Sequence, residues 1–274
     1  ILEIVPYAAA RDTLLTQIAA GEAPDIVGPV GHGGSNYLKG MFLDLAPLAD
    51  AAGYDLTQFD QALVDFYQTE EGLVGLPFAV FPAATFFQRG HFDEAGLNYP
   101  PFEYGEPYVW PDGTEEEWNY ATLKKVAQIL TVDVNGNAPV NYDDSGNVEP
   151  NPDFDVTKVT QFGFEPQYLV PYHFGAFYGG AGLDYNPEDN SADIPEGWLE
   201  SWDWWWEGIT GSEPFIASQA VLSSPEFGGG NPFNSGRISM GITQQWYTCC
   251  IGDAGDSWDL AALPSSTIDG EVHG

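Results

Sequence analysis

The sequence predicts an α/β fold with a parallel sheet covered by helices. The first thirty residues read strand, helix, strand. Farther on, short apolar runs at 160–165, 238–242 and 258–263 alternate with helical patterns at 119–131 and 197–209.

The opening run Ile1-Leu2-Glu3-Ile4-Val5 has the composition of a strand. Residues 8–20 place Leu14, Leu15 and Ile18 on one helical face, and Gly21 supplies a stop. After Pro24, Asp25 to Val30 reads as a short buried strand, completing a β-α-β unit. Gly31-His32-Gly33-Gly34 follows as a loop at that strand's carboxyl end, where ligands bind in open α/β sheets. Residues 41–75 read as short helices and loops. Residues 76–89 form an extended apolar run interrupted by Pro77 and Pro82, a pattern that suits a crossover between domains better than a central strand.

Residues 98–120, rich in Pro, Tyr, Trp and acids, read as a loop. From 119 to 131, Leu123, Val126, Ala127 and Leu130 recur at helical spacing, and Asn119 is placed to cap the helix. Asp133, Asn135, Asn137 and Asp144 give a weak calcium-loop candidate. Its glycine sits at the fourth rather than the sixth position and its twelfth residue is Asp rather than Glu, so an ordinary turn is the competing reading. Residues 172–183 are aromatic and glycine-rich. In the 197–209 helix, Trp198, Trp202, Trp205 and Ile209 share one stripe, which points to core packing before ligand binding.

Composition narrows the function. Apolar residues make up 43% of the 274, enough for one large or two ordinary domains with cores. Seven Lys and Arg stand against 41 Asp and Glu, a formal charge of −34, so nucleic acid and anionic membrane surfaces are repelled. The only Lys or Arg after Lys158 is Arg237. Anionic ligands call for Arg forks or Lys, so a neutral ligand is expected. No apolar run is long enough to span a bilayer. The chain opens without Met or a signal sequence and is expected to be a segment of a longer precursor. Cys249 and Cys250 are the only cysteines. They are read either as a vicinal disulfide or as a pair of small buried thiols.

Enzyme signatures are weak. Gly31-His32-Gly33-Gly34 has the form of an esterase oxyanion loop, but no G-x-S-x-G elbow accompanies it. Neither H-E-x-x-H nor a P-loop occurs. A glycoside hydrolase needs two carboxylates flanking a bond, and 41 acids make candidate pairs uninformative. The expectation is a non-enzyme without a cofactor. A secreted glycoside hydrolase and a surface structural or adhesion protein are the alternatives.

Six stretches in order carry a resemblance: AAGEAPDIVGPVG (19–31), MFLDLAPLADAAGYD (41–55), GLVGLPFAVFPAATFFQRGHFDEAGLNYPP (72–101), WNYATLKKVAQILTVDVNGN (118–137), FNSGRISMGITQQWYTCC (233–250) and WDLAALP (258–264). Together they resemble the family 1 extracellular solute-binding proteins, the maltose-binding-protein group. The resemblance implies a two-lobed periplasmic-binding-protein type II fold, with this chain incomplete at both ends. Residues 1–80 would form part of the first lobe, 81–262 the second, and 263–274 the start of the return crossover. It also implies an extracytoplasmic sugar-binding protein, periplasmic or a cell-surface lipoprotein, that serves an ABC permease driven by a separate ATPase.

A neutral sugar offers C–H faces to aromatic rings and hydroxyls to polar side chains, and aromatics are 15% of this chain. Trp246, at the end of the alternating strand, is the leading candidate, because a tryptophan in this segment stacks on sugar in the resembling family. Core packing is its alternative. Gln244 and Tyr247 are expected to add a hydroxyl-facing edge. His32, Ser35 and Asn36 are the candidates in the glycine loop. Phe81, Tyr168, Phe177 and Tyr178 complete the candidate set.

Overall fold

The computed structural model describes residues 2–28, 37–179, 182, 184–186, 188–252, 257–268 and 271–273. The chain divides into two compact units, Ile1–Val80 and Phe81–Gly274. The division falls inside the proline-interrupted apolar run. Among the described residues, no helix is long and apolar enough to cross a membrane.

The first unit is built from short helices. Tyr7–Ala20 buries Leu14. It ends at Gly21 in the left-handed region, where the N–H groups of Gly21 and Glu22 return to the carbonyls of Ile18 and Gln17. Ala46–Ala52 and Gln61–Asp65 follow, the latter capped by Asp60, and a small hairpin pairs Gln68–Thr69 with Gly72–Leu73. Asp44 ties the two halves together: one carboxylate oxygen accepts the N–H of both Ala46 and Leu73 at 3.0 Å.

Among the described residues the opening β-α-β unit is not formed. Residues 2–6 and 26–28 lie outside any strand, and Leu2, Ile4 and Ile26 are at least 85% exposed. Apolar composition favours extension locally, but a strand is stable only beside a partner that takes its backbone groups. No described residue pairs with either segment.

The second unit centres on a five-stranded sheet, ordered Trp258–Ala261, Ala83–Gln88, Ile238–Gln244, Val159–Glu165, Val132–Asp133. The expected parallel sheet is in fact mixed. Only Ile238–Gln244 and Val159–Glu165 run parallel, and every other neighbouring pair is antiparallel. Side-chain pattern marks which residues are extended, and strand direction depends on connections that the pattern does not encode. Ala83–Gln88 lies inside the sheet, immediately after Pro82. Both prolines of the run are thereby kept out of the hydrogen-bond ladder.

Helix Tyr120–Leu130 covers the sheet as its periodicity predicts. Leu123, Val126, Ala127 and Leu130 are buried, and Asn119 Oδ1 accepts the N–H of Ala121 and Thr122. Gly163 permits the contact, since a Cβ there would lie 1.9 Å from the carbonyl oxygen of Ala127. Helix Glu196–Thr210 turns Trp198, Trp205 and Ile209 toward the core as expected, with Trp202 half-buried and Trp206 66% exposed. Trp198 is buried and Trp205 meets Phe174. Trp204, outside the predicted stripe, is surrounded by Tyr120, Phe164, Phe174 and Phe215. The helix Pro171–Gly179 crosses it closely at Gly175 and Gly179.

Replacing Gly163 by Ala forces a methyl group into the backbone of Ala127. The variant is expected to lose about 1–3 kcal/mol or more, read as a lower midpoint in urea unfolding.

Candidate functional site

The parallel strand pair sets the site. Gly241 pairs with Glu165, so both strands finish at the same edge of the sheet. The loop Pro166–Leu169 follows one strand and the turn Gln245–Cys250 the other. Carboxyl ends of neighbouring parallel strands are where α/β sheets bind ligands.

Tyr168 and Trp246 meet there. Their rings are parallel to within 5°, with centroids 6.1 Å apart. Tyr168 is 45% exposed and Trp246 is half-buried, so both keep surface open to solvent. Tyr168 has a φ of +60°, a left-handed conformation that a bulky residue adopts only when its surroundings impose it. Burial, and then the sulfurs of Cys250 and Cys249, raise its hydroxyl above the ordinary tyrosine range.

A buried polar network imposes that geometry. Tyr247 lies fully buried behind these two rings, edge-on to Tyr168, Phe86 and Phe233. Its hydroxyl donates to Asn231 Oδ1 at 2.5 Å. Asn231 Nδ2 donates to the carbonyl of Cys250 at 2.9 Å, and Gln167 Nε2 reaches Asn231 Oδ1 at 3.4 Å. Gln167 Oε1 in turn accepts the N–H of Phe233 at 3.1 Å. One asparagine thus clamps the loop bearing Tyr168 to the turn bearing Trp246. Burial pushes the Tyr247 hydroxyl far up, which keeps it a donor.

This corrects the expectation for Tyr247, which supports the site from behind and has no surface for a ligand. Gln244 is half-buried and takes a hydrogen bond from Thr243 at 3.3 Å. Phe81 is 49% exposed, next to Pro82, whose carbonyl accepts the N–H of Gln245. Phe177 and Tyr178 are drawn elsewhere. Both pack against the core under helix Tyr120–Leu130, with the Tyr178 ring 4.3 Å from that of Tyr120. Helical periodicity there turns them toward the sheet-covering layer. His32, Ser35 and Asn36 lie outside the described residues.

Cys249 and Cys250 are free thiols with sulfurs 3.5 Å apart. Cys249 is exposed and Cys250 half-buried, so neither the disulfide nor the buried pair describes them as they stand.

The calcium-loop candidate is also corrected. The oxygens of Asp133 are occupied by the backbone N–H groups of Asn135, Asn137 and Asp155, at 2.8–3.0 Å. Burial alone would raise this carboxyl, but those bonds outweigh it and hold it below the ordinary value. Asp144 is exposed in the next turn, where Asp143 makes the same kind of cap over Ser145 and Asn147. The four residues lie on two separate turns, of which only the second closes a hairpin. Among the described residues, no three His, Cys, Asp or Glu side chains converge as metal ligands.

A cavity of about 480 Å³ opens elsewhere in this unit, lined by His91, Asn137, Asn151 and Gln161 among others. These groups are engaged with protein: His91 with Ser239, Asn137 with the Asp153 carbonyl, Asn151 with that of Ala138, and Gln161 with that of Leu130. Its one aromatic lining residue among those described, Tyr142, is 42% exposed, and it lacks the stacked ring pair found at the strand ends.

Sequence reasoning missed Gln167, Asn231 and Glu165. The first two are ordinary amides in glycine- and proline-rich loops, with no local sign that the fold joins them. Glu165 is 5% exposed at the end of its strand, and its Oε2 has no hydrogen-bond partner among the described residues. Burial pushes its pKa up to about 8, so it holds its proton near neutrality.

No family model matches the chain, and no curated protein is similar to it in sequence. Solved structures are similar in fold. An ABC substrate-binding protein from Listeria monocytogenes, in complex with cycloalternan, superposes with a TM-score of 0.64 at 19% identity, over 96% of this chain and 58% of that one. A periplasmic solute-binding protein from Pectobacterium atrosepticum gives 0.62 at 17%, over 98% and 58%. The sugar-binding protein MalE from Xanthomonas citri gives 0.57 at 15%, over 96% and 58%. The chain therefore has the α/β fold of the periplasmic solute-binding proteins and spans under two thirds of the length of these structures.

The uncharged Glu165 carboxyl makes stability depend on pH. Between its ordinary value of 4.5 and about 8, the folded state keeps a proton that the unfolded chain releases. Stability therefore falls as pH rises through that window and levels off above it. Glu165→Gln, which stays neutral, is expected to match the parent near pH 4 and exceed it above pH 8 in pH-resolved thermal unfolding.

Proposed function

We propose that this chain is the sugar-capturing part of an extracytoplasmic solute-binding protein that serves an ABC permease. Residues 1–80 belong to one lobe, 81–262 to the other, and 263–274 begin the return between them. A neutral sugar or oligosaccharide lies on the rings of Tyr168 and Trp246, and Gln244 and Phe81 border it. The ligand is released to the permease chemically unchanged.

The observation that carries this reading is the pair of parallel, open aromatic rings at the carboxyl ends of the parallel strands. Ring faces recognise the C–H faces of sugars, and the polar groups beside them suit hydroxyls. The fold supports the reading, because structures that share it were solved with cycloalternan, mannobiose and tagatose. Charge supports a neutral ligand. Arg237 is engaged with the Thr160 carbonyl and the Phe227 ring. No other Lys or Arg follows Lys158.

A thermal-shift screen of mono- and oligosaccharides on the full-length protein tests the proposal, since a ligand specific for the native state raises stability. The stabilising sugar is expected to be recovered intact, and released reducing ends would instead indicate hydrolysis. For that sugar, Trp246→Ala is expected to cost roughly 1.5–3 kcal/mol of binding, measured by isothermal titration, with the fold retained. Unchanged affinity would remove Trp246 from the site.

A further inference from the structure

The only two cysteines of the chain are adjacent, and they sit on the turn that carries Trp246. Gln245–Cys250 is a 3-10 helix. With three residues per turn, residue i lies beneath residue i+3, which sets Cys249 on the same side of the turn as Trp246. Cys249 is exposed and Cys250 half-buried, and their sulfurs are 3.5 Å apart. The carbonyl of Cys250 is held by Asn231, the residue that also fixes Tyr247 and Gln167. The turn therefore brings together a reachable thiol, a second thiol in contact with it, and a hydrogen-bonded connection through Asn231 to Gln167 and Tyr247, the chain neighbours of Tyr168 and Trp246.

We propose that Cys249 and Cys250 are a redox modification site whose closure into a vicinal disulfide resets the Tyr168–Trp246 pair. The co-reactant is a small-molecule disulfide. The exposed Cys249 thiolate attacks one of its sulfurs, the S–S bond breaks, and one small thiol leaves. Cys250 gives up its proton and attacks the sulfur of Cys249 in the mixed disulfide, and the second small thiol leaves. Two protein thiols are oxidised and one disulfide is reduced to two thiols. Closing the gap from 3.5 Å to the roughly 2 Å of an S–S bond moves the end of a turn only six residues long. That motion is transmitted through the Cys250 carbonyl to Asn231, and so to the loop of Tyr168. Burial and the hydrogen bond with Cys249 raise the Cys250 thiol, which suits the second, resolving step over the first attack.

The test uses the whole chain, reduced and then incubated with oxidised glutathione, and neither of its two measurements uses a sugar. Its outcome therefore stands apart from that of the binding proposal. After quenching with iodoacetamide, the intact mass is expected to show loss of two hydrogens and no alkylation. Cys249→Ser and Cys250→Ser should each retain a glutathione adduct or an alkylated thiol. Two alkylated thiols, or a lasting glutathione adduct on the parent protein, would overturn the site. The second measurement is tryptophan emission before and after exchange. Closure is expected to lower emission in the parent and to leave Trp246→Phe unchanged. Equal loss in both, or none in either, would overturn the link to the aromatic pair.

Discussion

The candidate site depends on the parallel pairing of Val159–Glu165 with Ile238–Gln244. Among the described strands of the five-stranded sheet it is the one parallel pair, and the other neighbours are antiparallel. Antiparallel neighbours send their chain ends to opposite edges, whereas parallel neighbours finish together. Pairing Gly241 with Glu165 thus delivers two loops, distant in sequence, to one place.

Alignment of two strand ends does not by itself orient two aromatic rings. That task falls to polar groups which the fold has taken out of water. A buried amide or hydroxyl without a partner costs about 1–3 kcal/mol, so Tyr247, Asn231 and Gln167 are constrained to find one another. Each bond made in the network restricts the backbone beside it. Tyr168 follows Gln167 directly, and its left-handed φ is the local cost of seating Gln167 against Phe233 and Asn231. Trp246 precedes Tyr247, and with Tyr247 locked inward its neighbour is left at the surface.

How much of this was legible in the sequence follows the range of the interactions. The Tyr120–Leu130 helix and its Asn119 cap were legible because a helix and its cap use residues only a few positions apart. The strand runs near 160 and 238 were legible for the same reason. Residues 1–5 and 25–30 misled, since an apolar run cannot declare whether a partner will lie alongside. Trp246 and Tyr247 show the same limit at the site. Both are aromatic, adjacent and equally suited to a sugar, yet one is half-buried and one fully buried, and the choice rests on Asn231, fifteen residues back from Trp246. Phe177 and Tyr178 went the other way, because an aromatic, glycine-rich stretch serves helix packing as readily as binding. The positive φ of Tyr168 left no trace in the sequence, where such a conformation is ordinarily signalled by glycine or asparagine.

The acidity of the chain and the neutrality of its aromatic pair belong to one electrostatic argument. A net charge of −34 repels anions at long range, over distances set by a Debye length of roughly 8 Å at physiological ionic strength. A binder of phosphate or carboxylate would have to overcome that field with local cations. The one cation in the sequence after Lys158 is engaged with a carbonyl and a phenyl ring inside the unit. An uncharged polyol is indifferent to the field, so the surface can carry any number of carboxylates without weakening contact with ring faces. The same separation explains why Glu165, buried at the strand end among neutral groups, keeps its proton: an ionised carboxylate there would be the one charge placed where neither water nor a cation answers it.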